Sequence, residues 1–176
     1  MRILFATILI AGMFFLFAWT AMQNFVLGGV FEAQYNFEKE LPFITPLSPR
    51  DRVTEILRND SGESFQKVYD DPVYFRVRAP RSFDRATVTV RFKKDENQKF
   101  ALGGLVSWED YKFDLQPLDN IFKDGDWQVA TVNFNLSPLF TDDGRTYTFV
   151  LSLPGIAESG SEVAVQSIWV RLERPR

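Results

Sequence analysis

The chain has 176 residues, of which 45% are hydrophobic and 24% charged, with ten Gly and nine Pro; this is the makeup of one folded domain with an apolar appendage. It contains no Cys and no His, which excludes disulfide frameworks, thiolate and imidazole metal sites, cysteine nucleophiles and Ser-His-Asp catalysis. A net charge of −3 argues against nucleic acid as the main partner, because phosphate binding calls for a basic surplus.

Residues 1–23 read as a transmembrane signal anchor. From Ile3 to Met22 there are twenty consecutive residues without a charge. As a helix at about 1.5 Å per residue, such a run reaches roughly 30 Å, the thickness of a hydrocarbon core. Trp19 falls near its far end, at the level where indoles favour headgroups. Arg2 and the α-amino group precede the run and the first charge after it is Glu32, so the positive-inside rule puts the N-terminus in the cytoplasm and the rest outside. A cleaved signal peptide is the rival reading, although its apolar core is usually shorter.

Residues 24–63 show no clean period, and Pro42, Pro46 and Pro49 interrupt any helix. The expectation here is a juxtamembrane stalk with a short amphipathic helix over 51–57, capped by Asp51.

From residue 64 onward a period of two recurs. Apolar residues alternate with polar ones at Val73–Val77, Val88–Phe92, Ala130–Leu136, Tyr147–Leu153 and Ile168–Leu172, each run offering one apolar face to a core. Weaker strands are expected over 65–69, 100–107, 111–115 and 162–165. Asp124-Gly125-Asp126 and Asp143-Gly144 supply tight turns, and Pro80 and Pro154 end strands. Eight or nine short strands without a long helix predict an all-β, antiparallel β-sandwich of jelly-roll or Greek-key type over residues 64–176.

The stretch Asp124-Gly125-Asp126-Trp127 leading into an alternating strand, then Gly144-Arg145-Thr146-Tyr147-Thr148-Phe149, then a closing strand 167–173, resembles the second half of galactose-binding-like jelly rolls, which include many carbohydrate-binding modules. The resemblance covers residues 64–174 and rests on layout. It implies a non-catalytic binding domain, commonly with a structural calcium, and carries no binding residue across.

Candidate binding residues are the aromatics Trp108, Tyr111, Trp127 and Trp169, because flat exposed rings stack on sugar faces. The plainer alternative has Trp108 and Trp127 plugging the ends of the core and Trp169 facing a covering loop or the stalk. A second candidate is a basic strip of Arg76, Arg78, Arg91 and Lys93, all in the outward register of two consecutive strands. Its alternative is cross-strand pairing with the acidic segment that follows. No cofactor is required; Asp119, Asp124, Asp126, Asp142 and Asp143 are the acids a structural calcium would use.

Catalytic patterns fail on spacing. Glu109-Asp110 with Asp114 lacks the carboxylate arrangement of a glucanase, and the Ser64-Phe65-Gln66-Lys67 match to Ser-x-x-Lys lies in an expected strand, which throws Ser64 and Lys67 to opposite faces. The sequence therefore predicts a single-pass, membrane-anchored, extracytoplasmic recognition module that is not an enzyme and binds glycan or protein at the cell surface. The alternative is a structural or assembly subunit of a cell-envelope complex, its sandwich packed on partner proteins.

Overall fold

The computed structural model describes residues 10, 12–16, 29–38, 42–118 and 120–174. Ile10 and residues 12–16 are helical and exposed. The remainder of the expected anchor, Trp19 included, lies outside the described residues, as does Asp119. Among the described residues no helix is long and apolar enough to cross a membrane.

Among the described residues eleven antiparallel strands form two sheets. They are β1 (Val30–Tyr35), β2 (Leu57–Arg58), β3 (Ser64–Val68), β4 (Val73–Arg78), β5 (Arg85–Lys93), β6 (Ala101–Ser107), β7 (Lys112–Pro117), β8 (Ile121–Asp124), β9 (Trp127–Asn135), β10 (Thr146–Ser152) and β11 (Val163–Glu173). The larger sheet runs β2-β3-β11-β5-β9-β8 with β1 added beside β11, and the smaller runs β4-β10-β6-β7. The antiparallel sandwich is as expected, with more strands than the eight or nine the sequence suggested. The expected pieces 162–165 and 167–173 are one strand, β11, interrupted by a bulge between Val165 and Ser167.

The tract expected to be a stalk is corrected by its pairing. β1 adds to the edge of β11 over six residue pairs, from Val30 opposite Glu173 to Tyr35 opposite Ile168. The same edge of β11 then receives β3 from Gln66 to Val68, so two strands share one side of it. Phe31, Ala33 and Tyr35 turn inward and are buried, which gives β1 a core face. The proline-bearing segment follows as a crossover, with Ile44 bridging Val77 and Ser48 bridging Tyr74. The expected helix over 51–57 is reduced to a single 3₁₀ turn, Arg50–Arg52, because Val53 returns to extended backbone and bridges Val68.

Alternation explains the core. In β5, Ala86, Val88, Val90 and Phe92 point inward, each at or below 1% exposure. Phe149 of β10 lies at the centre, stacked on Phe75 of β4 at 5.4 Å and meeting Phe134 of β9 across the two sheets, also at 5.4 Å. The β8–β9 hairpin closes on a two-residue turn whose first member, Gly125, has φ +63°, a conformation that favours glycine. Ser64 is buried inward and Lys67 points to the other face of β3, as the extended reading of that segment required.

Candidate functional site

The four candidate aromatics fall in two places. Trp127 and Trp169 belong to the outer face of the larger sheet, and Trp108 and Tyr111 to the β6–β7 turn at one end of the smaller. Their settings differ as much as their positions.

Trp127 takes the outward register of β9, yet only 7% of it is exposed. Phe65 of β3 meets its ring edge-on at 5.9 Å, the Arg91 guanidinium lies over it at 5.7 Å, and its Nε1 donates to Glu63 Oε2 at 3.3 Å. Arg91 joins the cluster further: its Nη1 donates to Glu63 Oε1 at 3.1 Å, and its Nε forms an ion pair with Asp124 Oδ2 at 3.1 Å. Trp127 is thereby a buried anchor of a small outer cluster. Hydrogen bonds from Asn59, Trp127 and Arg91, that of Asn59 first, hold the Glu63 carboxyl below the usual glutamate range against the opposing effect of desolvation.

A depressed carboxylate contributes stability that is present above its unfolded pKa and lost as pH falls through the folded one. Acidification below the ordinary glutamate range is accordingly expected to release Trp127, seen as a change in its fluorescence. In Glu63→Gln this acid limb should be absent, and an unchanged limb would assign it to another group.

Trp169 is different. It stands 40% exposed on the outward face of β11. The registers place Gln34 of β1 on one side of it and Thr89 of β5 then Thr131 of β9 on the other, in one row across four strands. The Thr89 and Thr131 hydroxyls are hydrogen-bonded at 2.9 Å. The next row, about 7 Å along the strands, carries Arg171 paired with Glu32 at 3.2 Å and Thr87 donating to Asn133 Oδ1 at 2.8 Å. Beyond it an open groove of about 650 Å³ is lined by Arg85, Thr87, Asn133, Asn135 and Glu173 among others. One flat aromatic, followed by hydroxyls, amides and charged groups on a rigid sheet, can stack a ring and hydrogen-bond its substituents.

The threonines and Asn133 were already visible as outward-register residues. Gln34 was not, because its strand was read as stalk.

The basic strip does not exist as a strip. Arg76 and Arg78 lie on β4 in the smaller sheet, and Arg91 and Lys93 on β5 in the larger, so consecutive strands face opposite sides of the sandwich. Arg76 pairs with Asp142 at 3.8 Å, and Arg91 is engaged as described. The calcium candidates are also separated. Asp124 is bound to Arg91 and Asp142 to Arg76, and Asp143 Oδ1 accepts from the backbone N–H of Arg145 at 3.0 Å and of Thr146 at 2.7 Å. The Arg145 N–H first, then the Thr146 hydroxyl and N–H, hold the Asp143 carboxyl below the usual aspartate range. Among the described residues no three acids gather as a metal site.

A second concavity was not foreseen. Where the edge of β11 passes from β1 to β3, an open groove of about 620 Å³ is lined by Tyr35, Phe37, Leu47, Val53, Ile56 and Gln66 among others. Gln66 is 8% exposed; its Nε2 donates to the Thr54 carbonyl at 2.8 Å, and its buried Oε1 accepts no hydrogen bond.

Comparison with solved structures shows that the two-sheet architecture is similar in fold to carbohydrate-binding-module jelly rolls. The CBM22-1 xylan-binding domain of Paenibacillus barcinonensis Xyn10C matches with a TM-score of 0.52 at 7% identity, over 82% of this chain and 95% of that one. The CBM22-1-CBM22-2 tandem domain from the same protein matches with a TM-score of 0.53 at 8% identity, over 86% of this chain and 48% of that one. At such identities the likeness is one of fold. No family model matches the chain, and no curated protein matches it in sequence.

Proposed function

We propose that the sandwich is a non-catalytic glycan-binding module whose platform is the outer face of the larger sheet around Trp169. The observation that carries this reading is the exposed indole in line with Gln34, Thr89 and Thr131. The shared fold with a xylan-binding domain supports it. In the same proposal residues 3–22 form a single membrane span, with the N-terminus cytoplasmic and the sandwich outside, as the charge-free run and its flanks favour. Saturable retention of the full chain, in detergent, on one or more insoluble cell-wall or plant polysaccharides tests the glycan reading. Failure to bind any of them overturns it.

The binding needs no metal in this reading. Asp124 and Asp142 are neutralised by arginines and Asp143 is occupied by two backbone amides. Chelation of calcium is accordingly expected to leave the melting temperature unchanged, and a fall on chelation would show that the loops are braced by an ion.

The second reading, a subunit of an envelope complex, is favoured by β8. All four of its residues are exposed at the edge of the larger sheet, with Ile121 at 40% and Phe122 at 58%, a strand left open for pairing with another chain. Crosslinking through residue 122 in intact membranes would reveal that partner.

A further inference from the structure

The strand registers sort the connections from β4 to β11 to one of two ends. Val30 lies opposite Glu173, Glu173 opposite Arg85, and Arg85 opposite Asn135, so the start of β1 shares an end of the larger sheet with these residues. Residues 79–84 and 136–145 carry the chain from this end to the same end of the smaller sheet, where Thr146 lies opposite Arg78. Backbone hydrogen bonds bind the end together: Arg174 N–H to Gly29 O, Asp84 N–H to Glu173 O, Leu136 N–H to Asp84 O and Ala79 N–H to Arg145 O. In β6, Gly104 lies opposite Phe149, so Ser107 is level with Thr146 and the turn Trp108–Tyr111 projects past both.

This end carries exposed aromatics. Tyr111 is 72% exposed and Phe140 39%. Trp108 packs edge-on against Tyr111 at 6.1 Å, and the Phe140 N–H donates to Leu105 O at 2.8 Å, which seats Phe140 beside the same strand. Tyr111 has φ +47°, a left-handed backbone that a bulky residue adopts at a cost. That backbone carries its ring into solvent instead of onto the core.

The two ends also differ in charge. Here Arg78, Arg81, Arg85, Lys112, Arg145 and Arg174 balance Asp84, Glu109, Asp110, Asp142, Asp143 and Glu173, whereas the opposite end holds Asp70, Asp71, Asp95, Glu96, Asp126 and Glu158 against Arg52, Lys94 and Lys99.

The length of chain before β1 identifies what this end meets. Only seven residues separate Met22, the last residue of the proposed span, from Val30. At 3.3–3.6 Å per extended residue they reach at most about 25 Å. If residues 3–22 span the bilayer, as proposed above, the end bearing Val30 is tethered within that distance of the headgroups.

We infer that this end of the sandwich docks on the outer leaflet of the bilayer, with Trp108, Tyr111 and Phe140 seated at the headgroup level. Aromatic side chains favour that depth, the balanced charge does not repel an anionic leaflet as the acidic far end would, and a short tether makes even weak docking effective.

The chain contains no Cys, so single cysteines report position without background. The full-length protein, carrying a fluorophore at Glu109→Cys or at Glu158→Cys, would be placed in nanodiscs of phosphatidylcholine and phosphatidylglycerol containing a nitroxide-headgroup lipid. The label at 109 is expected to be quenched severalfold more than the label at 158. Combining Trp108→Ser, Tyr111→Ser and Phe140→Ser with the 109 label should bring its quenching down toward that of 158 while circular dichroism stays unchanged. If the triple variant does not fold, the comparison of the two labels in the otherwise unaltered chain decides the question alone. Equal quenching at both positions overturns the docking, as does quenching at 109 that ignores the three serines in a folded variant. Vesicle flotation separates the two premises: protein that fails to float overturns the anchor and the docking with it, whereas protein that floats with both labels equally quenched overturns the docking only.

Discussion

Phe149→Ala is expected to lower stability by about 3–5 kcal/mol, the range for removing a fully enclosed aromatic ring. Phe149 has 0% exposure and is the ring through which the two sheets meet, touching Phe75 on its own sheet and Phe134 on the other. Truncation leaves a cavity between the two packed sheets, beside Gly104, the β6 partner of Phe149, over which Leu139 of the 136–145 connection packs. For a chain of this length the loss corresponds to a fall of roughly 6–20 °C in melting temperature, measured by far-UV circular dichroism. Tyr111→Ala, at an exposed turn, is expected to melt within a degree or two of the parent. A Phe149→Ala protein that melts with the parent would mean that the sandwich is not packed around this ring.

Trp169→Ala is expected to weaken polysaccharide binding at least tenfold, equivalent to about 1.4 kcal/mol, without moving the melting temperature. The side chain is exposed, so its removal leaves no buried cavity, and its indole offers a flat surface for stacking. Trp127→Ala should show the reverse: a clear loss of stability, because Phe65, Arg91 and Glu63 lose the group they enclose. In material that remains folded, glycan affinity should be little changed. Binding isotherms and melting curves on the same two proteins separate the cases. A Trp169→Ala protein that binds as the parent does would move the platform elsewhere, and the groove floored by Gln66 would be the next place to look.

Much of the fold was legible because five strands alternate cleanly. Val88, Val90 and Phe92 against Thr87, Thr89 and Arg91 admit one reading, and β5 follows it. β1 alternates as well, with Phe31, Ala33 and Tyr35 inward, but it is followed by three prolines that spoke for a stalk. Those prolines serve the crossover between sheets. β8 shows no face because all four residues are exposed, and β2 is too short for any period.

Periodicity tells which way a side chain points relative to the core and says nothing about which sheet a strand joins. For that reason Arg76 and Arg91 looked like neighbours, although residues 79–84 carry the chain from one sheet to the other between them. Trp127 was open to either reading for a related reason. Its cover comes from Phe65 and Glu63, some sixty residues earlier, and no local pattern announces a contact across that separation.

The addition of β1 to β11 has a mechanical consequence. β1 begins at the end from which the chain departs toward residues 3–22, and its axis runs along β11 for six residue pairs. A pull on Val30 from that side, against a load gripped on the sheet face, acts along the strand and not across it. The bonds of the β1–β11 ladder then share the force in shear and yield together, where a perpendicular pull would open them one at a time. In the proposed arrangement, with residues 3–22 in the bilayer and a glycan on the sheet face, the domain would be fastened through the direction in which a β-ladder resists most.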